Sequence, residues 1–195
     1  MTDQQAEPRE MSGPARAGAL AVGFVVLLYA VELVDVVVPG TLDGNGVRPR
    51  SVDGLEGVAL GPLLHGGWAH LLGNTVPLLV LGFLVGLSGL RTWAQVTAIV
   101  WVVGGAAVWL VGAPGTVHLG ASGLVFGWLS YLVVRGVFSR HVGQIALGVV
   151  VFLVYGGLLW GVLPGRPGIS WEGHLFGAAA GALAAWLVTP RRVRD

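Results

Sequence analysis

Leu119-Gly120-Ala121-Ser122-Gly123-Leu124-Val125-Phe126-Gly127-Trp128-Leu129-Ser130-Tyr131-Leu132-Val133-Val134-Arg135-Gly136-Val137-Phe138 carries a single formal charge in twenty residues, at Arg135. A bilayer core about 30 Å thick takes roughly 20 apolar residues of α-helix, so the stretch reads as a membrane span. It has two distinctive features. Gly123-x-x-x-Gly127 places small residues on one face, where a second helix backbone can approach closely. Ser122 stands at its start, inside Gly120-Ala121-Ser122-Gly123.

Five further segments of the same character lie around it: 17–38, 71–90, 93–112, 142–163 and a shorter one at 173–189. Turn or charge punctuation separates them at Pro39-Gly40, Arg91, Pro114-Gly115, Arg140-His141 and Gly165-Arg166-Pro167. The expected fold is therefore all-α, a polytopic membrane protein of six transmembrane helices. Its parts are a polar tail at 1–16, a membrane domain at 17–189 and a basic tail at 190–195.

Composition agrees. The 195 residues are 54% apolar and 11% charged, with mean hydropathy +0.78, whereas soluble domains run near 45–50% and about 25%. All eleven basic residues are Arg, balanced by ten acids to a net charge of +1, which excludes a strongly basic nucleic-acid binder. With no Cys there is no disulfide, no thiolate metal site and no cysteine nucleophile. The 33 glycines suit helices that pack closely in lipid.

Arginine placement orients the bundle, because cytoplasmic flanks are enriched in Lys and Arg. With the N-terminus inside, the inner flanks hold Arg9, Arg16, Arg91, Arg135, Arg140, Arg191, Arg192 and Arg194, and the outer flanks hold Arg48, Arg50 and Arg166. Both termini are expected in the cytoplasm, with the chain multi-pass in the plasma membrane. The first apolar run is too long for the core of a signal peptide, and no cleavage site follows it promptly. The long connection from Pro39 to about Trp68 is partly apolar and is expected to lie in the membrane interface. The Lys-free, Arg-, Gly- and Ala-rich usage suggests a GC-rich prokaryotic genome.

Polar groups inside spans are costly and become functional candidates. His70 and Asn74, four apart, share one face at the outer entrance of the second helix. Ser122 opens the fourth helix, and His174 opens the sixth inside Glu172-Gly173-His174-Leu175-Phe176-Gly177. All three host helices run from outside to inside, so Asn74, Ser122 and His174 are expected within about a turn of their helix starts, at one depth. Gly173-x-x-x-Gly177-x-x-x-Gly181 matches the small-residue face of the fourth helix. If those faces meet, Ser122 and His174 come within hydrogen-bond reach. A serine hydroxyl becomes a nucleophile when a neutral histidine takes its proton. The Asn74 amide, His70 and the Ser122 backbone amide are candidate donors to an oxyanion. Glu172 is two residues from His174, and positions two apart do not face each other on a helix. A dyad is expected, not a triad.

These residues resemble the rhomboid family of intramembrane serine proteases. The resemblance rests on His70-x-x-x-Asn74, Gly120-Ala121-Ser122-Gly123 and Gly173-His174-x-x-Gly177, in that order and on those helices, and spans most of the chain. It implies cleavage of transmembrane protein substrates near the extracytoplasmic side, without cofactor or metal. Ser122 would be nucleophile and His174 general base. His70, Asn74 and the Ser122 amide would form the oxyanion hole, with Gly120, Gly123, Phe126, Gly173 and Gly177 in support. His65 resembles a further family histidine without an assigned catalytic role.

Two departures stand out. Where the family often has a Tyr packed on the catalytic histidine, this chain has Phe126, which keeps the ring and loses the hydroxyl. Where many members have Trp-Arg in the first loop, it has Val47-Arg48-Pro49-Arg50. Glu32 and Asp35 make one face of the first helix acidic, and Arg48 or Arg50 is expected to pair with them. Two other classes remain open: a catalytically inactive rhomboid-like protein that binds or escorts membrane clients, and a small transporter or channel. The latter predicts polar groups through the full depth of the bundle, whereas here they cluster near the outer side.

Overall fold

The computed structural model describes residues 11–38, 42–165 and 168–190. Among these residues eight α-helices follow in order: α1 (Gly13–Val37), α2 (Glu56–Leu60), α3 (Trp68–Gly86), α4 (Leu90–Ile99), α5 (Gly105–Val111), α6 (Ser122–Ser139), α7 (Val142–Tyr155) and α8 (Trp171–Val188). Among the described residues the one extended pairing is a bridge between Val47 and His118.

Among the described residues five units are long and apolar enough to cross a membrane: α1, α3, Leu90–Val111, α6 and Val142–Val162. In the third, π turns at Val100–Gly104 join α4 to α5. In the fifth, a 3₁₀ segment at Gly156–Val162 continues α7. The sixth expected span is α8, whose 18 residues equal α6 in length. It is not one of those five and carries Glu172, Gly173 and His174 in its first turn, so six crossings remain a proposal.

Helix starts differ from expectation for local reasons. Pro14 sits in the first turn of α1, where its fixed φ favours a helix and its missing N–H costs nothing. Gly13 to Arg16, assigned to the tail from sequence, are consequently helical. α3 begins at Trp68, so His70 falls in its first turn but Asn74 in its second, deeper than expected. α8 begins at Trp171 because the Ser170 hydroxyl accepts from the Gly173 N–H and caps it.

α6 is the central helix: 61% of it is buried inside the protein, against 11% of the Val142–Val162 span. The core around it includes Leu28, Leu71, Leu78, Leu81, Trp128, Leu129 and Ala184. Trp128 donates to Thr97 Oγ1 at 3.2 Å, and Phe24 meets Trp93, Trp101 and Trp128 edge-on. Lipid supplies little hydrophobic drive between helices, so close packing of this kind must hold them together. The outward sides of α1 and α7, such as Val26 and Leu153, stay exposed to the surroundings.

α6 and α8 pack most intimately. A Cβ on Gly177 would lie 2.9 Å from the Gly123 carbonyl carbon, and one on Gly181 would lie 2.7 Å from that of Gly127. The two small-residue faces therefore meet backbone to backbone, which meets the condition that the sequence left open.

Candidate active site

The approach to Ser122 is built by the connection between α1 and α3. His118 and Val47 exchange backbone bonds of 2.8 and 2.9 Å, and the Gly120 N–H donates to Gly61 O at 2.8 Å. The Ala121 N–H donates to His65 Nε2 at 3.3 Å. Three of the four residues before Ser122 are thus pinned by the first loop. Gly120 takes φ +110, and a Cβ there would lie 2.6 Å from His70 Cε1. Only glycine allows both that backbone and an imidazole lying over it. His65, buried against the His70 ring at 5.1 Å, is pushed down to about 4 by burial and by the neighbouring His70. It is therefore neutral at pH 7 and free to accept from Ala121.

At the top of the α6–α8 contact, Ser122 Oγ lies 2.9 Å from His174 Nε2. His174 Nδ1 lies 2.9 Å from the carbonyl oxygen of Gly161. A carbonyl only accepts, so Nδ1 carries the proton and Nε2 is left to accept from the serine. The Phe126 ring stacks on the imidazole at 4.1 Å and 8°. A Cβ on Gly161 would come within 3.0 Å of both His174 Nδ1 and Phe126 Cζ, so glycine fits where the carbonyl must reach the ring.

A cleft of about 770 Å³ opens over this pair, lined by His70, Asn74, Ser122, Ser170, Glu172 and His174 among others. Asn74 is buried, and its Nδ2 has no hydrogen-bond partner, an orphan donor in the wall of the cleft. The Ser122 N–H heads α6 without an intrahelical acceptor. Ser122, His174 and the candidate oxyanion donors thus border one space, an arrangement suited to acyl transfer. Glu172 is not the partner of His174 Nδ1, because the Gly161 carbonyl holds that position.

The family profile for the rhomboid domain matches residues 57–191 of this chain. The chain belongs to the rhomboid family. It is 49% identical to the uncharacterized protein Rv1337 of Mycobacterium tuberculosis over 180 residues, covering 88% of this chain and 75% of that protein. It is 48% identical to the uncharacterized protein ML1171 of Mycobacterium leprae, covering 88% and 71%.

In this rhomboid domain the Phe126 ring takes the packing place against the histidine without a hydroxyl. The first loop, which lacks Trp-Arg, is held by other means. The Arg50 N–H donates to Trp109 O at 2.9 Å, Trp109 Nε1 to Ser51 O at 2.8 Å, and Trp101 Nε1 to Val58 O at 3.0 Å. The expected pairing of Arg48 or Arg50 with the acids of α1 does not occur. Arg48 and Arg50 donate to the Asp53 and Leu110 carbonyls, Asp35 accepts from the Leu42 N–H, and both Glu32 carboxylate oxygens are buried without partners. Sequence reasoning missed Gly161, which acts through its backbone. It also missed Ser170, although a serine just before a helix is a recognisable cap.

Proposed function

We propose that this rhomboid-family protein is an intramembrane serine endopeptidase that cleaves transmembrane helices of membrane-protein substrates near their extracytoplasmic side. The observation that carries the reading is the 2.9 Å contact of Ser122 Oγ with His174 Nε2, while Gly161 holds the other ring nitrogen. Ser122 Oγ attacks the scissile carbonyl carbon as its proton passes to Nε2. Charge develops on the carbonyl oxygen, and the Ser122 N–H, Asn74 Nδ2 and His70 are the donors available to it. The imidazolium then protonates the leaving amine as the C–N bond breaks, leaving an acyl-serine. Water, deprotonated by the same histidine, releases the second product. The Gly161 carbonyl takes the orienting place that a carboxylate fills in a triad.

Polar lining at the outer ends of α3, α6 and α8, above an apolar interior, supports cleavage at that end of a substrate. With both termini in the cytoplasm and six crossings, this end faces away from the cytoplasm. The multi-pass chain occupies a bilayer, and the arginine bias and mycobacterial relatives favour a bacterial plasma membrane.

The test is cleavage of several transmembrane substrates in liposomes by wild type and by Ser122→Ala. Loss of cleavage in a folded, inserted Ser122→Ala variant is expected. Undiminished cleavage by that variant sinks the mechanism. Substrate capture without cleavage by wild type would point to a client-binding role.

A further inference from the structure

Outward of Ser122 and His174 lies a second histidine–serine contact. His118 Nδ1 is 2.7 Å from Ser170 Oγ. His118 precedes Ser122 by four residues and Ser170 precedes His174 by four, so both contacts span 52 residues of chain. We propose that His118 and Ser170 are a positioning pair, an outer clamp that sets the separation of Ser122 from His174. The inference rests on the reading of those two residues as the reacting pair.

The hydrogen-bond directions of the clamp are determined by its neighbours. Thr116 Oγ1 donates to Ala113 O at 2.7 Å, which uses its only proton. Its 2.7 Å contact with His118 Nε2 therefore has the ring donating. A neutral ring protonated at Nε2 accepts at Nδ1, so the Ser170 hydroxyl donates there. Ser170 Oγ in turn accepts from the Gly173 N–H at 3.1 Å. The bonds form one directional chain, from the first turn of α8 through Ser170 and His118 to the loop before α6. Burial holds His118 below its ordinary value, with Glu172 opposing, which keeps it in the neutral form this chain requires.

Position gives the clamp its consequence. Inward of Ser122 and His174, the Gly123–Gly177 and Gly127–Gly181 contacts fix the α6–α8 distance. Outward of them, α6 has not begun and α8 is just starting, so no helix packing holds the two strands of backbone. His118 and Ser170 cross this gap. They also line both the substrate cleft and a smaller pocket of about 60 Å³ behind Ser122. The first loop pins residues 118, 120 and 121 and Gly161 holds the His174 ring; the clamp adds a direct tie between the two segments that carry the reacting pair.

The test compares His118→Ala, Ser170→Ala and the double variant with His118→Asn and Ser170→Thr, each in liposomes beside wild type. Asn sets an acceptor near the place of Nδ1, and Thr keeps both the hydroxyl and the cap. Each alanine variant is expected to lower kcat about tenfold with KM little changed, since small misplacements act on the chemical step. The double variant should lose no more than either single one, because the two residues act as a unit. The conservative variants should recover to within about threefold of wild type. ¹⁵N spectra of labelled histidine give a readout independent of proteolysis. They should show His118 protonated at Nε2, and Ser170→Ala should shift both His118 and His174 signals. Additive losses, alanine variants with wild-type kcat, or His118 protonated at Nδ1 would overturn the clamp. Should the alanine variants not fold, folded His118→Asn and Ser170→Thr decide, a loss of tenfold or more counting against it. Cleavage by Ser122→Ala would overturn the protease reading instead, and the spectra would still judge the clamp.

Discussion

Gly177→Ala tests how the glycine faces of α6 and α8 create the site. The added methyl would stand 2.9 Å from the Gly123 carbonyl carbon and closer still to its oxygen. Both are backbone atoms, in the first turn of α6, so no side chain can rotate away. Relief to ordinary contact requires the two helices to part by about 1 Å, since packed interiors hold no slack. Ser122 is the residue before Gly123, and His174 lies one turn above Gly177. If the displacement reaches them, their 2.9 Å contact opens to nearly 4 Å and the hydrogen bond is lost. A misplacement of that size costs on the order of 100-fold in rate, and overpacking costs about 1–3 kcal/mol of stability. The assay is kcat/KM on a transmembrane substrate in liposomes, beside thermal unfolding of the same preparation. Gly23→Ala in α1, where a Cβ meets nothing within 4 Å, is the control and should match wild type. A Gly177→Ala protein with wild-type turnover and stability would refute the claim that this close approach sets the dyad distance.

Phe126→Ala removes the ring stacked on His174; aromatic pairs contribute about 0.5–1.5 kcal/mol, so kcat/KM should fall up to about tenfold, whereas Phe126→Tyr should stay near wild type. Equal activity of the alanine variant would show that the stack does not orient the base. Gly161→Val drives a branched side chain into His174 Nδ1 and Phe126 Cζ, each 3.0 Å from the Cβ position. It should abolish cleavage while the protein still inserts, and a fully active variant would remove Gly161 from the site. His65 is held neutral down to about pH 4, whereas the unfolded histidine protonates near 6.5. The folded form thus binds fewer protons between those values, and stability present above pH 6.5 is lost as pH falls toward 4. The loss can reach about 3 kcal/mol. His65→Gln keeps an acceptor for the Ala121 N–H without titrating, so its melting temperature should fall less steeply over that window. A slope equal to that of wild type would contradict the assignment.

Parts of this architecture were legible in sequence because they rest on side-chain type and spacing. Glycines four apart on two segments pointed to the α6–α8 contact, and polar residues at the starts of apolar runs pointed to Ser122 and His174. The partner of His174 Nδ1 was not legible. It is a backbone carbonyl, which leaves no mark in residue identity, in a 3₁₀ segment that reads as the tail of an apolar span. The depth of Asn74 was misjudged because the apolar count began at Leu71, while Trp68 to His70 already form the first turn of α3. Charge alone suggested that Arg48 or Arg50 would meet Glu32 and Asp35. The folded loop instead spends both guanidinium groups on nearby carbonyls, a choice that depends on the path of the loop and not on its composition.

The central claim is that Ser122 is a nucleophile activated by His174. Its most direct measurement is covalent labelling by a serine-directed phosphonate in liposomes, with the modified residue mapped by mass spectrometry. Ser122 should be labelled in wild type, and labelling should collapse in a folded His174→Ala variant. Labelling confined to another residue, or undiminished at Ser122 without His174, would contradict the account.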